Sequence, residues 1–134
     1  MLTNPPFNGN FPVTQHFGEN PARYADLTCG GVALLGHNGV DFATPAGTPV
    51  LAVQAGVVLD ARNDTGRFGN LVILSHEWGQ SLYAHLDSLG VQAGQQVAAG
   101  QPLGRSGNSG RSEGPHLHFG LRISPFSVQD SWCG

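Results

Sequence analysis

Glycine and proline punctuate this chain so densely that helices have little room. Twenty glycines and nine prolines fall among 134 residues, and few stretches rich in alanine, leucine and glutamate keep a helical period between them, so strands joined by turns are expected. The fold should be mainly β. The length suits one domain with a single hydrophobic core. No apolar run approaches the ~20 residues of a bilayer-spanning helix, and Met1-Leu2-Thr3-Asn4-Pro5-Pro6 is not a charged region leading into an apolar one. The expectation is a soluble protein with no membrane insertion and no export signal in this chain. A formal net charge of -3 offers no basic stripe for nucleic acid.

Along the chain, residues 1–12 read as an irregular arm rich in Pro, Asn and Gly, leading to a first strand at Val13-Thr14-Gln15-His16-Phe17. Residues 18–35 read as a long loop without a clear period, the kind that forms the wall of a site. Val40 and Phe42 alternate with Asp41 and Ala43, and Pro45-Ala46-Gly47 makes a turn. Strands are expected over residues 49–53 and 56–61, with an exposed polar turn over residues 63–69. Asn70-Leu71-Val72-Ile73-Leu74-Ser75-His76 is the most β-prone run, and Glu77-Trp78-Gly79-Gln80 closes a hairpin onto Ser81-Leu82-Tyr83-Ala84-His85. Strict alternation there puts Tyr83 and His85 on one face and Leu82, Ala84 and Leu86 on the other. Residues 91–104 repeat V-x-x-G, a rhythm suited to backbones that pass closely and shared with lipoyl and biotinyl carrier domains. Those carriers need a modifiable lysine, and all six basic residues here are arginine. Gly107-Asn108-Ser109-Gly110 reads as a flexible turn feeding the next strand, and residues 124–134 as a tail.

That next strand carries Gly114-Pro115-His116-Leu117-His118-Phe119-Gly120. On a strand His116 and His118 share one face while Leu117 and Phe119 anchor the other in the core, so both imidazoles are held at a site. His37 and Asp41 are four apart, an even spacing that also puts them on one face of an extended segment, and Gly36, Gly39 and Val40 disfavour a helix there. No H-E-x-x-H helix exists, so a metal site must be assembled from strands. Two imidazoles and one carboxylate make a catalytic zinc set with the fourth position left for water, which the ion acidifies toward ~7. Spacing does not say which histidines bind and which act on the substrate. His16 and His76 fit hydrogen-bonded strand or surface positions better than ligand positions. Tyr83 reads as core, and His85 as either a strand end or a member of the site.

Cys29 and Cys133 have no C-x-x-C spacing, which excludes a cysteine-rich zinc site. A disulfide from the tail to the loop before His37 and two separate thiols are both compatible with their positions.

H-x-x-x-D at His37 and Asp41, A-T-P-A-G-T-P-V after it, Y-A-H-L at Tyr83 to Leu86 and S-G-N-S-G-R-S-E-G-P-H-L-H-F ending at Phe119 together resemble the lysostaphin/LytM-type zinc metalloendopeptidases of bacterial cell walls. The likeness covers residues 13–123. It implies a mainly antiparallel β fold, a barrel-sandwich hybrid (duplicated hybrid motif) with an open active-site groove. It further implies zinc held by His37, Asp41 and His118, with His85 and His116 as catalytic histidines, and a peptidoglycan peptide stem or cross-link as substrate. A monomer working outside the cell, in the periplasm or in the cell wall follows from the same likeness. Phe17-Gly18-Glu19-Asn20 lacks the arginine that the family commonly carries in an F-G-x-R stretch, and Arg23 is the nearest basic residue. Two other classes compete. A non-catalytic activator of wall hydrolases would have lost ligands that this chain retains, and a histidine phosphocarrier of related architecture would leave Asp41 and the H-x-H spacing unexplained.

Overall fold

Antiparallel pairing accounts for the regular structure among the described residues. The computed structural model describes residues 4–15, 28–29, 32–33, 40–64, 68–110 and 114–123, and no helix occurs among them. The strands are β1 (Val13–Gln15), β2 (Thr28–Cys29), β3 (Val32–Ala33), β4 (Val40–Phe42), β5 (Pro49–Leu51), β6 (Gly56–Asp64), β7 (Gly69–His76), β8 (Gly79–Leu89), β9 (Gln96–Val97), β10 (Pro102–Ser106) and β11 (Leu117–Ile123). Nine of them form one sheet in the order β1-β4-β11-β8-β7-β6-β9, with β10 joining β8 to β5, and β2 pairs β3 separately. The order is not closed on itself, and the mainly β, antiparallel character is as expected.

The unbroken apolar run Leu71-Val72-Ile73-Leu74 suits β7 to a place inside the sheet with both faces covered. Val72 and Leu74 enter the main core with Val50, Val53, Val58, Tyr83, Leu103 and Leu117, while Leu71 packs on the opposite face with Leu82 and Ala84, flanked by Phe68 and Ile73. A strand buried on both faces reads as a continuous apolar run. The expected hairpin forms with His76 opposite Gly79, so that only Glu77 and Trp78 turn. Residues 4–12 form no strand, yet Phe7 is buried in the main core. Its ring meets those of Phe11 and Phe42 edge-on, each at 4.9 Å.

Several expected boundaries shift. The first strand is described only to Gln15, and His16 and Phe17 lie outside the described residues. Within the long loop the short β2–β3 ladder forms, whereas the rest of that segment lies outside the described residues. The strand expected over residues 49–53 ends at Leu51, although Ala52 and Val53 remain buried. The expected polar turn at 63–69 is shorter, because Asn63 pairs with Asn70 and Asp64 with Gly69. Close backbone passage in residues 91–104 is realised at Gly104, where a Cβ would run into the Ser88 carbonyl. The Cys29 side chain and Cys133 lie outside the described residues.

The alternation expected for β8 fails at one residue. Asn70 pairs with Leu86 and Val72 with Tyr83, so two steps along β7 oppose three along β8. His85 sits at this bulge with φ of 60°, the left-handed region rarely taken by a residue with a side chain. One extra residue reverses the parity beyond it. Leu86 therefore joins Tyr83 in the main core instead of Leu82 and Ala84.

Candidate active site

Strand register brings two buried ionisable groups together. His118 on β11 lies directly opposite Asp41 on β4 and, on its other side, opposite Ala84 on β8. Leu117 is fully buried beside it and Phe119 packs against the core, so both hold β11 from the opposite face as expected. His118 Nδ1 is 3.0 Å from Asp41 Oδ1, with His118 only 3% and Asp41 9% exposed. His116, one alternation earlier, places Nε2 3.6 Å from the same carboxylate oxygen. Its Nδ1 lies 2.8 Å from the Gly114 carbonyl. A carbonyl only accepts, so in neutral His116 the proton is on Nδ1 and Nε2 carries the lone pair.

The third histidine arrives through the bulge. His85 and Tyr83 do not share a face. Tyr83 is in the core, with its hydroxyl accepting from the Val53 N–H at 3.1 Å. The His85 ring instead lies 4.7 Å from the His116 ring and 5.9 Å from the His118 ring, centroid to centroid. Left-handed backbone turns this side chain onto the histidine face, which unbroken alternation would not do. Its Nδ1–H donates to the Ser109 carbonyl at 2.7 Å, leaving Nε2 as the basic nitrogen. Burial lowers its pKa to about 4, a shift opposed by the Ser109 hydrogen bond and reinforced by the neighbouring His116 and His118. His85 is thus a neutral imidazole at physiological pH.

Three supporting residues escape a reading based on spacing. Phe68 lies with its ring 5.5 Å from that of His118, and its carbonyl accepts the His85 N–H at 2.7 Å. The signal was an aromatic residue in an otherwise polar stretch. Ser109 and Asn70, placed by sequence in turns or strand edges, are bonded to one another and to the bulge. The Gly107–Gly110 stretch is therefore tied to the site by Ser109. His76 belongs elsewhere: its ring stacks on Trp78 and bonds the Ala55 carbonyl and the Ser81 hydroxyl. His37 and Arg23 lie outside the described residues.

Asp41 and His118 offer two donors suited to a divalent cation, and among the described residues they are not part of a group of three metal-ligating side chains. Two ligands of one tetrahedral zinc at ~2.05 Å stand about 3.3 Å apart, close to the 3.0 Å between His118 Nδ1 and Asp41 Oδ1. The His116 lone pair and the Asp41 carboxylate are two acceptors facing each other at 3.6 Å, an arrangement that a proton or cation between them relieves. Asp41 and His118 could hold the ion.

Comparison with known proteins agrees with this architecture. Residues 35–129 match the model of peptidase family M23. Peptidoglycan DD-endopeptidase ShyA of Vibrio cholerae is 48% identical over 88 residues, covering 65% of this chain and 20% of that protein. The chain spans about a fifth of the length of such curated relatives. Among solved structures, a zinc-containing peptidase from Vibrio cholerae superposes with a TM-score of 0.77 at 33% identity, covering 97% of this chain and 38% of that one. The catalytic domain of lysostaphin from Staphylococcus simulans gives 0.72 at 32% identity, covering 93% and 88%. The chain belongs to peptidase family M23, which bears out the lysostaphin-type resemblance and the mainly antiparallel β fold expected from it.

Proposed function

We propose that this chain is the catalytic unit of a zinc-dependent endopeptidase that hydrolyses peptide bonds in peptidoglycan stems or cross-links. The observation that carries the reading is the convergence of His116 and His118 on one carboxylate oxygen of Asp41, with the His85 ring against the two imidazoles. Named relatives support the substrate class: ShyA is a peptidoglycan DD-endopeptidase, and a Neisseria relative 44% identical over 89 residues is a DD-carboxypeptidase/endopeptidase. The peptidase unit is taken as residues 13–123, followed by a tail, and acts as a monomer. Its substrate would place it in the periplasm or the cell wall.

In this reading His37, Asp41 and His118 hold the zinc, and His85 and His116 are catalytic. The bound ion supplies Lewis acidity, polarising the scissile carbonyl and easing deprotonation of water. Hydrolysis adds water's hydroxide to the carbonyl carbon, breaks the C–N bond and delivers a proton to the departing amine. His85 and His116 are suited to carry that proton. Each is locked by a main-chain carbonyl at Nδ1, so each presents a basic Nε2, and each becomes a charged donor once protonated. The low basicity of His85 keeps it in the accepting form.

The test is digestion of purified cell walls of differing cross-link chemistry by the zinc-loaded protein, with new termini identified by mass spectrometry. Walls with D,D cross-links are the first to try, given ShyA. New amino termini that vanish on chelation and return with zinc are expected. Walls left uncut by fully metallated protein would refute the reading.

A further inference from the structure

We propose that Ser109 is the positioning residue for His85: its hydroxyl replaces a missing link of the β7–β8 ladder at the bulge, and its carbonyl fixes the ring. The consequence for rate rests on the catalytic reading of His85 given above, while the structural role stands on the contacts themselves. In an unbulged antiparallel pair, residues facing each other either exchange N–H and C=O directly or flank a pair that does. At Asn70 and Leu86 the extra residue shifts the register. The Asn70 N–H instead donates to Ser109 Oγ at 3.0 Å, and that hydroxyl donates to the Leu86 carbonyl at 2.5 Å. A hydroxyl can accept on one side and donate on the other, so it spans the gap as one link. The Asn70 side-chain amide adds a second bond to the Leu86 carbonyl at 3.0 Å.

The same residue grips the ring through its main chain, accepting from His85 Nδ1 at 2.7 Å. Hydroxyl and carbonyl act together because the segment is seated against the strand ends. A Cβ on Gly69, whose φ is 65°, would run into the Ser109 carbonyl carbon and hydroxyl and into Gly110 N, and a Cβ on Gly107 would meet Asp87. Only glycine at both places lets these backbones touch. Without the hydroxyl, the Asn70 N–H loses its acceptor and the Leu86 C=O keeps the Asn70 side-chain amide, so the left-handed backbone at His85 loses one of the bonds that hold it and retains the Phe68 carbonyl on its N–H. Regular alternation would turn the ring toward the Tyr83 face and away from His116 and His118.

The experiment compares Ser109→Ala, Ser109→Thr and Ser109→Val as zinc-loaded proteins. Threonine and valine have the same shape and differ in the hydroxyl, so this pair decides the question even if the alanine variant folds poorly. Steady-state cleavage of a cross-linked muropeptide and nitrogen NMR of the His85 ring are read on each. The expected result is normal zinc content in all variants and near-normal kcat and ring shifts for Ser109→Thr. Ser109→Val and Ser109→Ala should lose roughly tenfold to a hundredfold in kcat with KM little changed, the scale of a misplaced catalytic group. Their His85 nitrogen shifts should move from the single Nδ1–H tautomer toward a mixture. Ring shifts in Ser109→Val identical to those of Ser109→Thr, or equal kcat for the two, would overturn the proposal. A wild-type protein that leaves every muropeptide uncut would refute the proposed function, and the ring shifts would still decide the role of Ser109.

Discussion

Tyr83→Phe should destabilise the fold while leaving turnover of the folded protein unchanged. The His76 Nδ1–H donates to the Ala55 carbonyl at 2.9 Å, so Nε2 accepts from the Ser81 hydroxyl at 2.8 Å. Ser81 then accepts from the Tyr83 hydroxyl at 2.9 Å, and that oxygen accepts from the Val53 N–H at 3.1 Å. Tyr83 is fully buried, so phenylalanine leaves a main-chain donor without an acceptor and removes a donor from Ser81. Two lost hydrogen bonds with one buried orphan amount to about 2–3 kcal/mol. For a domain of this size that is a fall in Tm of roughly 6–12 °C. Alkaline pH gives an independent reading. Burial pushes the Tyr83 pKa up to about 12, against a smaller lowering by its Ser81 and Val53 hydrogen bonds. Its neutral form is thus favoured by the fold, so the contribution is complete below the unfolded value of ~10 and is lost as pH rises from there toward about 12. Urea unfolding of wild type and variant near pH 8 and at increasing pH, with muropeptide cleavage alongside, checks all of this. The alkaline loss should shrink in Tyr83→Phe. An unchanged Tm would refute the hydrogen-bond argument, and a large fall in kcat at full folding would mean that Tyr83 reaches the site despite the bulge.

Asp41→Ala and His118→Ala should each lose zinc as well as activity, and metal analysis showing full, tight zinc in either would remove that residue from the ligand set. His116→Ala and His85→Ala should keep near-stoichiometric zinc and a native circular dichroism spectrum while losing on the order of 10²-fold in turnover. Zinc loss from His116→Ala with retention by His118→Ala would reverse the pair. Gly69→Ala should destabilise by about 1–3 kcal/mol, since it combines left-handed backbone with a Cβ driven into Ser109 and Gly110. Denaturant midpoints check this, and a stability equal to wild type would show that the segment over Gly69 can move aside.

The legible parts of the fold and of the site are those where successive side chains take opposite faces without a bulge. Leu71 through Leu74 announce a strand buried on both faces, and Leu117 and Phe119 announce that His116 and His118 share the other face of β11. Asp41 needed one fact more, the register that sets it opposite His118. Register is a property of two strands far apart in sequence, so parity within β4 narrows it without deciding it. The family likeness closed that gap.

His85 was legible as a candidate but not in its direction. Parity sends it into the core with Tyr83, where an imidazole would need partners that the apolar cluster does not offer. The structure resolves the conflict by inserting a residue into the ladder, and the requirement for that insertion is spread over Gly69, Asn70, Gly107 and Ser109, none of them adjacent to His85 in the chain. Each alone reads as turn chemistry. Together they hold a left-handed histidine that local propensity opposes. The faces on which Asp41 and His118 stand therefore follow from strand periodicity, which sequence displays, and their pairing follows from register. The His85 half depends on long-range contacts that cancel periodicity at one residue, and no pattern within β8 records them.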